Sequence, residues 1–497
     1  MKTSGVPRDV IEDFLRAHAG AGLEASEDGE LLLRLSGDGY ELREQGGKLL
    51  LHLWSEERNW VRRVAAIEGQ GAGWLELRVE RFGQRRPGTL LLAAPRARSA
   101  SEAERRTARR RYASYFRRLL QREFPRGRIE SLSSSADLKN SLSGLYTRGV
   151  VAEGGTRWAV VGGNAAEDQS SVDGILTYGL IWLDWNRRRH PEQVFAGLRV
   201  YVPVGRSALT ASRLLALNPA QGRVELFEVN QEESSCEAVT PEVGNWDTRL
   251  LPTAWAAEVL RAEESSVARI LALASEVERV LAPTRAEVSL RIRGLEFARA
   301  AGGEVWFGVG EQERLTVQSW AKLETLVGEL VRRRVPGGRA DDPFYRLQPE
   351  NWLESLVLRN LHTIDPRLEV EPIYRQVPAF AGGARDVLDL LAATRTGRLI
   401  LMELKASSEI HLPVQALDYW QRVRWLQTRG ELERFGYFPN RPLRPEPPEL
   451  LLVAPAFQFH PTTETLLGYF APEIPVTLIG LNEDWRRGLQ VVLRRTV

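Results

Sequence analysis

The chain has 497 residues, 43% hydrophobic and 27% charged, which suits a soluble globular protein of about two to four domains rather than one core. A net charge of +2 excludes a polycation, so any nucleic-acid surface has to be local. A single cysteine, Cys236, excludes an internal disulfide and zinc ribbons, and no apolar run reaches membrane-spanning length.

In chain order, residues 1–95 predict a small α+β domain. The helix VIEDFLRAHA comes first, followed by alternating strands such as ELLLRLSG, KLLLHLW and GWLELRVERF. The first residues lack an apolar signal-peptide core, so a reducing cytoplasm is the expected location. APRARSASEAER reads as a boundary. Residues 104–125 then form an arginine-rich helix with Tyr112, Phe116, Leu119 and Leu120 at helical spacing. Its polar face, including Arg105 and Arg109, is a candidate phosphate-contacting surface; a solvated structural face is the other reading.

The region to about 250 reads as strand-rich, with RWAVVGG, GILTYGLIWLDW, GLRVYVPVG and GRVELFEV as strands. Asp173 and Asp184 lie beside them without a lysine, which favours turn or strand-end roles. TAWAAEVLRAEESSVARILALASEVERVL reads as helical. The middle domain is therefore placed at 104–285 and the last at 286–497, with a core at 345–497. EVSLRIRGLEFARA and GEVWFGVG suggest a hairpin, and SWAKLETLVGELVRR a helix. No repeat of fixed period is evident. The absence of GxxxxGK[ST] argues against an intrinsic ATPase, and there is no HExxH or GxSxG.

The chemistry concentrates after residue 345. QPENWLESLVLRNLHTI predicts a helix carrying Glu350 and Glu354. RDVLDLLAAT and RLILMELKA predict two strands joined by a turn at 394–397. Period-2 geometry puts Asp389 on one and Glu403 and Lys405 on the other, on sides that converge. The chain uses 62 Arg but only five Lys, so a lysine two residues after a buried glutamate is unusual. Two carboxylates in an apolar sheet need compensation, which Mg²⁺ or Mn²⁺ supplies, and a compact ammonium can position a water. HLPVQALDYWQRVRWLQTRG predicts a helix with proline in its first turn and Gln415, Tyr419 and Arg422 on one face.

This constellation resembles the PD-(D/E)xK nuclease superfamily, in the branch similar to RecB nuclease domains and archaeal repair endonucleases. The resemblance covers roughly 345–497. It implies a restriction-endonuclease-like mixed sheet flanked by helices, within an α+β protein whose earlier domains are strand-rich. It also implies a metal-dependent phosphodiesterase site. Asp389, Glu403, the Leu404 backbone carbonyl and Glu354 would be metal ligands, Lys405 the catalytic lysine, and Gln415 with Tyr419 the Gln-x-x-x-Tyr motif. Leu388 stands where the family name has proline, and Glu350 lies one turn before Glu354. DNA is the implied partner, with Tyr419 and Arg422 as candidate contacts beside Arg105 and Arg109. The competing reading is a nucleic-acid-binding or scaffolding protein with a silent nuclease-like domain.

Overall fold

The computed structural model describes all residues except 1–7, 19–22, 28–29, 36–38, 46–47, 55–58, 72–73, 81–87, 94–101, 168, 232, 242–249, 283–285, 311, 379–386 and 440. The boundary expected near 94–101 and the link at 379–386 fall outside the described residues, as do the side chains of Arg105 and Arg109. The protein is α+β, with antiparallel and mixed sheets. Among the described residues no helix is long and apolar enough to cross a membrane.

The chain divides into two compact units, each assembled from two separated segments: 1–101 with 258–355, and 102–257 with 356–497. The expected consecutive domains 1–95, 104–285 and 286–497 coincide with these only in part, because residues on either side of 285 pair with one another. Val277–Ala282, expected as the end of a helix, is a strand antiparallel to Glu287–Ile292. The helical part of that segment stops earlier, as Thr253–Ala262 and Glu264–Leu271.

The first unit holds a seven-stranded antiparallel sheet between residues 24 and 93 and a five-stranded antiparallel sheet between 277 and 314. Helix Arg8–His18 packs Ile11 and Leu15 into the core of the first sheet. EVSLRIRGLEFARA is itself the hairpin, with Glu287–Ile292 paired to Leu295–Ala301, and Glu304–Phe307 adds to its edge.

The second unit contains two six-stranded sheets. In the middle lobe, strand order follows the chain: Arg128–Ser133, Thr147–Glu153, Thr156–Gly162, Phe195–Pro203, Arg223–Asn230, Ser235–Val239. The C-terminal lobe runs Tyr374–Pro378, Val387–Ala393, Leu399–Leu404, Glu449–Pro455, Val476–Leu481, Val491–Thr496. Both sheets show the same succession of pairings: antiparallel, antiparallel, parallel, parallel, antiparallel. Parallel neighbours require crossovers, and each lobe supplies two helices for them. Ile175–Arg189 and Ala208–Leu214 serve the middle lobe, Leu412–Thr428 and Thr463–Leu467 the C-terminal lobe.

Ile175–Arg189 is the GILTYGLIWLDW segment expected to be a strand. Its apolar residues surround the helix, and Ile175, Leu176, Leu180, Ile181 and Leu183 are all buried. A run that is apolar all round gives no period by which to separate a buried helix from a buried strand. Asp173 and Asp184 therefore sit on helices, Asp184 paired with Arg188 at 2.7 Å. The basic helix Glu102–Glu123 buries Tyr112, Phe116, Leu119 and Leu120 against Val151, Val160 and Tyr201, leaving Arg111, Arg117, Arg118 and Arg122 exposed.

The lobes are joined by a buried bidentate ion pair. Arg213 Nε and Nη2 donate to Asp418 Oδ1 and Oδ2 at 2.8 and 2.7 Å, while Nη1 donates to the Asp173 carbonyl. Both side chains are under 10% exposed. Removing one member strands the other charge in the interior, which costs about 3–5 kcal/mol. Asp418→Ala should lower the unfolding free energy of this unit by that order in denaturant titration, and Arg213→Met with Asp418→Leu should recover most of the loss.

Candidate metal centre and its surroundings

The strands Val387–Ala393 and Leu399–Leu404 are antiparallel and joined by a tight turn. Gly397 closes it at φ +88°, where a Cβ would stand 2.3 Å from the Pro442 carbonyl oxygen. Backbone pairing runs from Ala393–Leu399 to Leu390–Met402. One step further in the same register, Asp389 lies opposite Glu403, and directly opposed residues share a face of the sheet. At that step a side chain replaces the backbone as acceptor: Leu404 N–H donates to Asp389 Oδ2 at 2.8 Å. On its other side the Glu403 strand stays in its parallel ladder, and Lys405 N–H donates to the Val453 carbonyl at 3.0 Å. The strand is thus anchored on one edge and opened on the other where the acids stand.

Leu391, Leu399 and Leu401 share the parity of Asp389 and Glu403, and they pack in one core with Leu417, Tyr419 and Val423 of helix Leu412–Thr428. Leu452, the parallel neighbour of Glu403, lies in the same core, which places Glu403 on the face covered by this helix. Glu403 is 1% exposed, and its Oε1 is 3.3 Å from Lys405 Nζ. An ammonium at that distance offsets the cost of keeping a carboxylate out of water. The lysine side chain retains 15% exposure, so it is reachable from outside.

Gln415 donates through Nε2 to the Tyr419 hydroxyl at 2.9 Å. The two therefore form a linked pair on helix Leu412–Thr428, and Tyr419 is 2% exposed. Arg422, expected on a phosphate-facing stripe with Tyr419, is 1% exposed and lies 4.8 Å from the centre of the Trp425 ring. Burial pushes its guanidinium down to about 10, against the opposing pull of Glu431. Neither Tyr419 nor Arg422 can lie along a phosphate backbone, which corrects that expectation. The i, i+4, i+7 spacing places residues on one face but does not say whether that face is wet.

Glu350 and Glu354 belong to the segment grouped with the first unit, on helix Pro349–Arg359, and Glu354 is 2% exposed. Among the described residues no three His, Cys, Asp or Glu side chains gather closely enough to hold a metal ion. The donor set at the site is therefore two carboxylates and one backbone carbonyl. In an extended strand the N–H and C=O of one residue point to the same side, so the Leu404 carbonyl faces the Asp389 side together with its N–H. Two carboxylates and a carbonyl, all hard oxygens, suit Mg²⁺ or Mn²⁺, which keeps several waters.

Sequence reasoning missed His411. It caps the N-terminal end of helix Leu412–Thr428, its Nδ1 is 3.1 Å from Thr177 Oγ1, and its ring meets Tyr178 edge-on at 5.5 Å. The signal was faint: one histidine before the helix, whose partners come from more than 200 residues upstream.

No known protein family matches this chain. No curated protein matches it either.

Burial, the largest influence, lowers the pKa of His411; Glu409 opposes this, while Arg213 and His460 reinforce it. His460, partly buried, is lowered as well, again chiefly by desolvation. A histidine whose folded pKa lies below its unfolded value binds fewer protons in the native state. Its contribution is complete above the unfolded pKa, near 6.5, and declines as pH falls below it. Thermal stability should therefore drop as pH falls below about 6.5, and His411→Asn should flatten that drop, as read from melting temperatures across the acid range.

Proposed function

We propose that the protein is a metal-dependent nuclease that hydrolyses phosphodiester bonds of DNA in a reducing cytoplasm. The observation that carries this reading is the pairing at the sheet opening. Asp389 stands one residue beyond the last backbone pair, Leu390 with Met402, and accepts from Leu404 N–H at 2.8 Å, while the Lys405 ammonium is 3.3 Å from Glu403. Asp389, Glu403 and the Leu404 carbonyl would hold the ion. A divalent ion bound there supplies Lewis acidity towards a phosphoryl oxygen and lowers the pKa of a bound water.

The chain's own residues account for the rest. Lys405 sits at the strand end with its ammonium partly exposed, where it can orient a water and stabilise negative charge developing on phosphate oxygens. Its tie to Glu403 holds it at the level of the acids. The Gln415–Tyr419 hydrogen bond fixes the amide beside the site, so the helix presents an ordered polar group to it. Arg111, Arg117, Arg118 and Arg122, exposed on helix Glu102–Glu123, offer a surface for phosphate contacts whose strength would fall with added salt.

One observation favours a second reading, a nuclease-like protein that binds nucleic acid without cutting it. No cluster of three metal-ligating side chains is present among the described residues. Incubation with single- and double-stranded DNA, linear and circular, in Mg²⁺, Mn²⁺ or EDTA separates the two readings. The nuclease reading expects metal-dependent cutting that Asp389→Ala abolishes. DNA binding without cutting on any substrate supports the second.

A further inference from the structure

The two lobes of the second unit share strand order and pairing sense, so their positions can be matched through hydrogen bonds rather than through sequence. Lys405 N donates to Val453 O, and Gly163 N donates to Tyr201 O, each at 3.0 Å at the end of the corresponding strand. Leu404 pairs with Val453 and Val453 with Ile479; likewise Gly162 pairs with Tyr201 and Tyr201 with Phe227. Gly163 therefore takes the place of Lys405, and Val161 that of Glu403. The residue opposite Val161 is Arg148, in the place of Asp389.

The middle lobe thus repeats the C-terminal fold with none of the acid and lysine chemistry. Arg148 faces its crossover helix, with its guanidinium 5.5 Å from the Trp182 ring centre. Nη1 and Nη2 donate to the carbonyls of Ser143 and Ser135 at 3.1 and 2.6 Å. A buried guanidinium opposite valine repels a divalent cation and offers it no ligand.

The lobes also meet reciprocally. The second crossover helix of the middle lobe, Ala208–Leu214, packs on the first of the C-terminal lobe, Leu412–Thr428. The first of the middle lobe, Ile175–Arg189, packs on the second of the C-terminal lobe, Thr463–Leu467. Element i meeting j while j meets i is the signature of a two-fold, isologous interface. Near its middle the segments leaving the two matched strands come together, with His411 Nδ1 3.1 Å from Thr177 Oγ1.

We propose that the second unit is an internal dimer of nuclease-like lobes, one of which has given up chemistry and serves as a built-in partner. One molecule then carries one scissile site where a symmetric pair would carry two, and it opens one strand of a duplex per encounter. The strand count rests on the nuclease reading above; the internal dimer does not.

Supercoiled plasmid with Mg²⁺ or Mn²⁺ tests the strand count. Nicked circle should accumulate first, with linear DNA absent until most of the supercoiled form is consumed, and Asp389→Ala should leave the plasmid untouched. Linear DNA as the first product, at less than one enzyme per plasmid, would overturn the proposal. Sedimentation of the full chain at the same concentrations is the second arm, and it is independent of activity. A monomer agrees with a partner already supplied in the chain, and a stable dimer overturns it. If no plasmid is cut under any metal, the nuclease reading falls, while sedimentation still decides the internal dimer.

Discussion

The Leu399–Leu404 strand is held differently on its two edges, and the site depends on that asymmetry. Towards Glu449–Pro455 the parallel ladder runs through Leu404 and on to Lys405 N. Towards Val387–Ala393 the backbone ladder ends at Met402, and the next N–H in line goes to a carboxylate instead of a carbonyl. A fully paired sheet would leave no place for a cation between the strands. An unpaired one would leave a buried N–H without an acceptor, which costs more than the hydrogen bond itself contributes. The Asp389 carboxylate satisfies the backbone and places a negative charge opposite Glu403 in one arrangement. Lys405 then limits the cost of the second buried acid.

The middle lobe is a comparison built into the same chain. Its strands, crossovers and pairing senses match, yet the matched positions hold Arg148, Val161 and Gly163. The fold therefore does not require the acids. Backbone pairing and the apolar cores on both sides of each sheet suffice to hold it, as Val150, Ala159, Val161 and Val200 do against helix Ile175–Arg189. Asp389, Glu403 and Lys405 are then additions that the fold tolerates at some cost, which is the ordinary relation between a scaffold and a site placed on it.

Much of the C-terminal lobe was legible in the sequence. VLDLLAA, LILMEL, ELLLVAP and VTLIGL are short apolar runs bounded by polar or turn residues, and each is a strand. The acids and the lysine stood out because they interrupt those runs. Three things were not legible, each for a physical reason. Helix Ile175–Arg189 is buried all round and so carries no amphipathic signature. Arg422 and Tyr419 look like surface residues by type, but Arg422 stacks on Trp425 in the interior. The duplication leaves no trace as a repeat, because apolar residues can be exchanged widely in a core while total volume and pattern are kept. Only the hydrogen-bond register aligns Val161 with Glu403.

The nuclease proposal requires one hard-cation site, built from Asp389, Glu403 and the Leu404 carbonyl. Calorimetric titration of the full chain with Mn²⁺, in the absence of nucleic acid, tests it most directly. Binding should be present in the wild-type chain and disappear in Glu403→Gln while the variant keeps its native melting behaviour. Mn²⁺ binding that is absent from the wild-type chain, or that survives unchanged in Glu403→Gln, would contradict it.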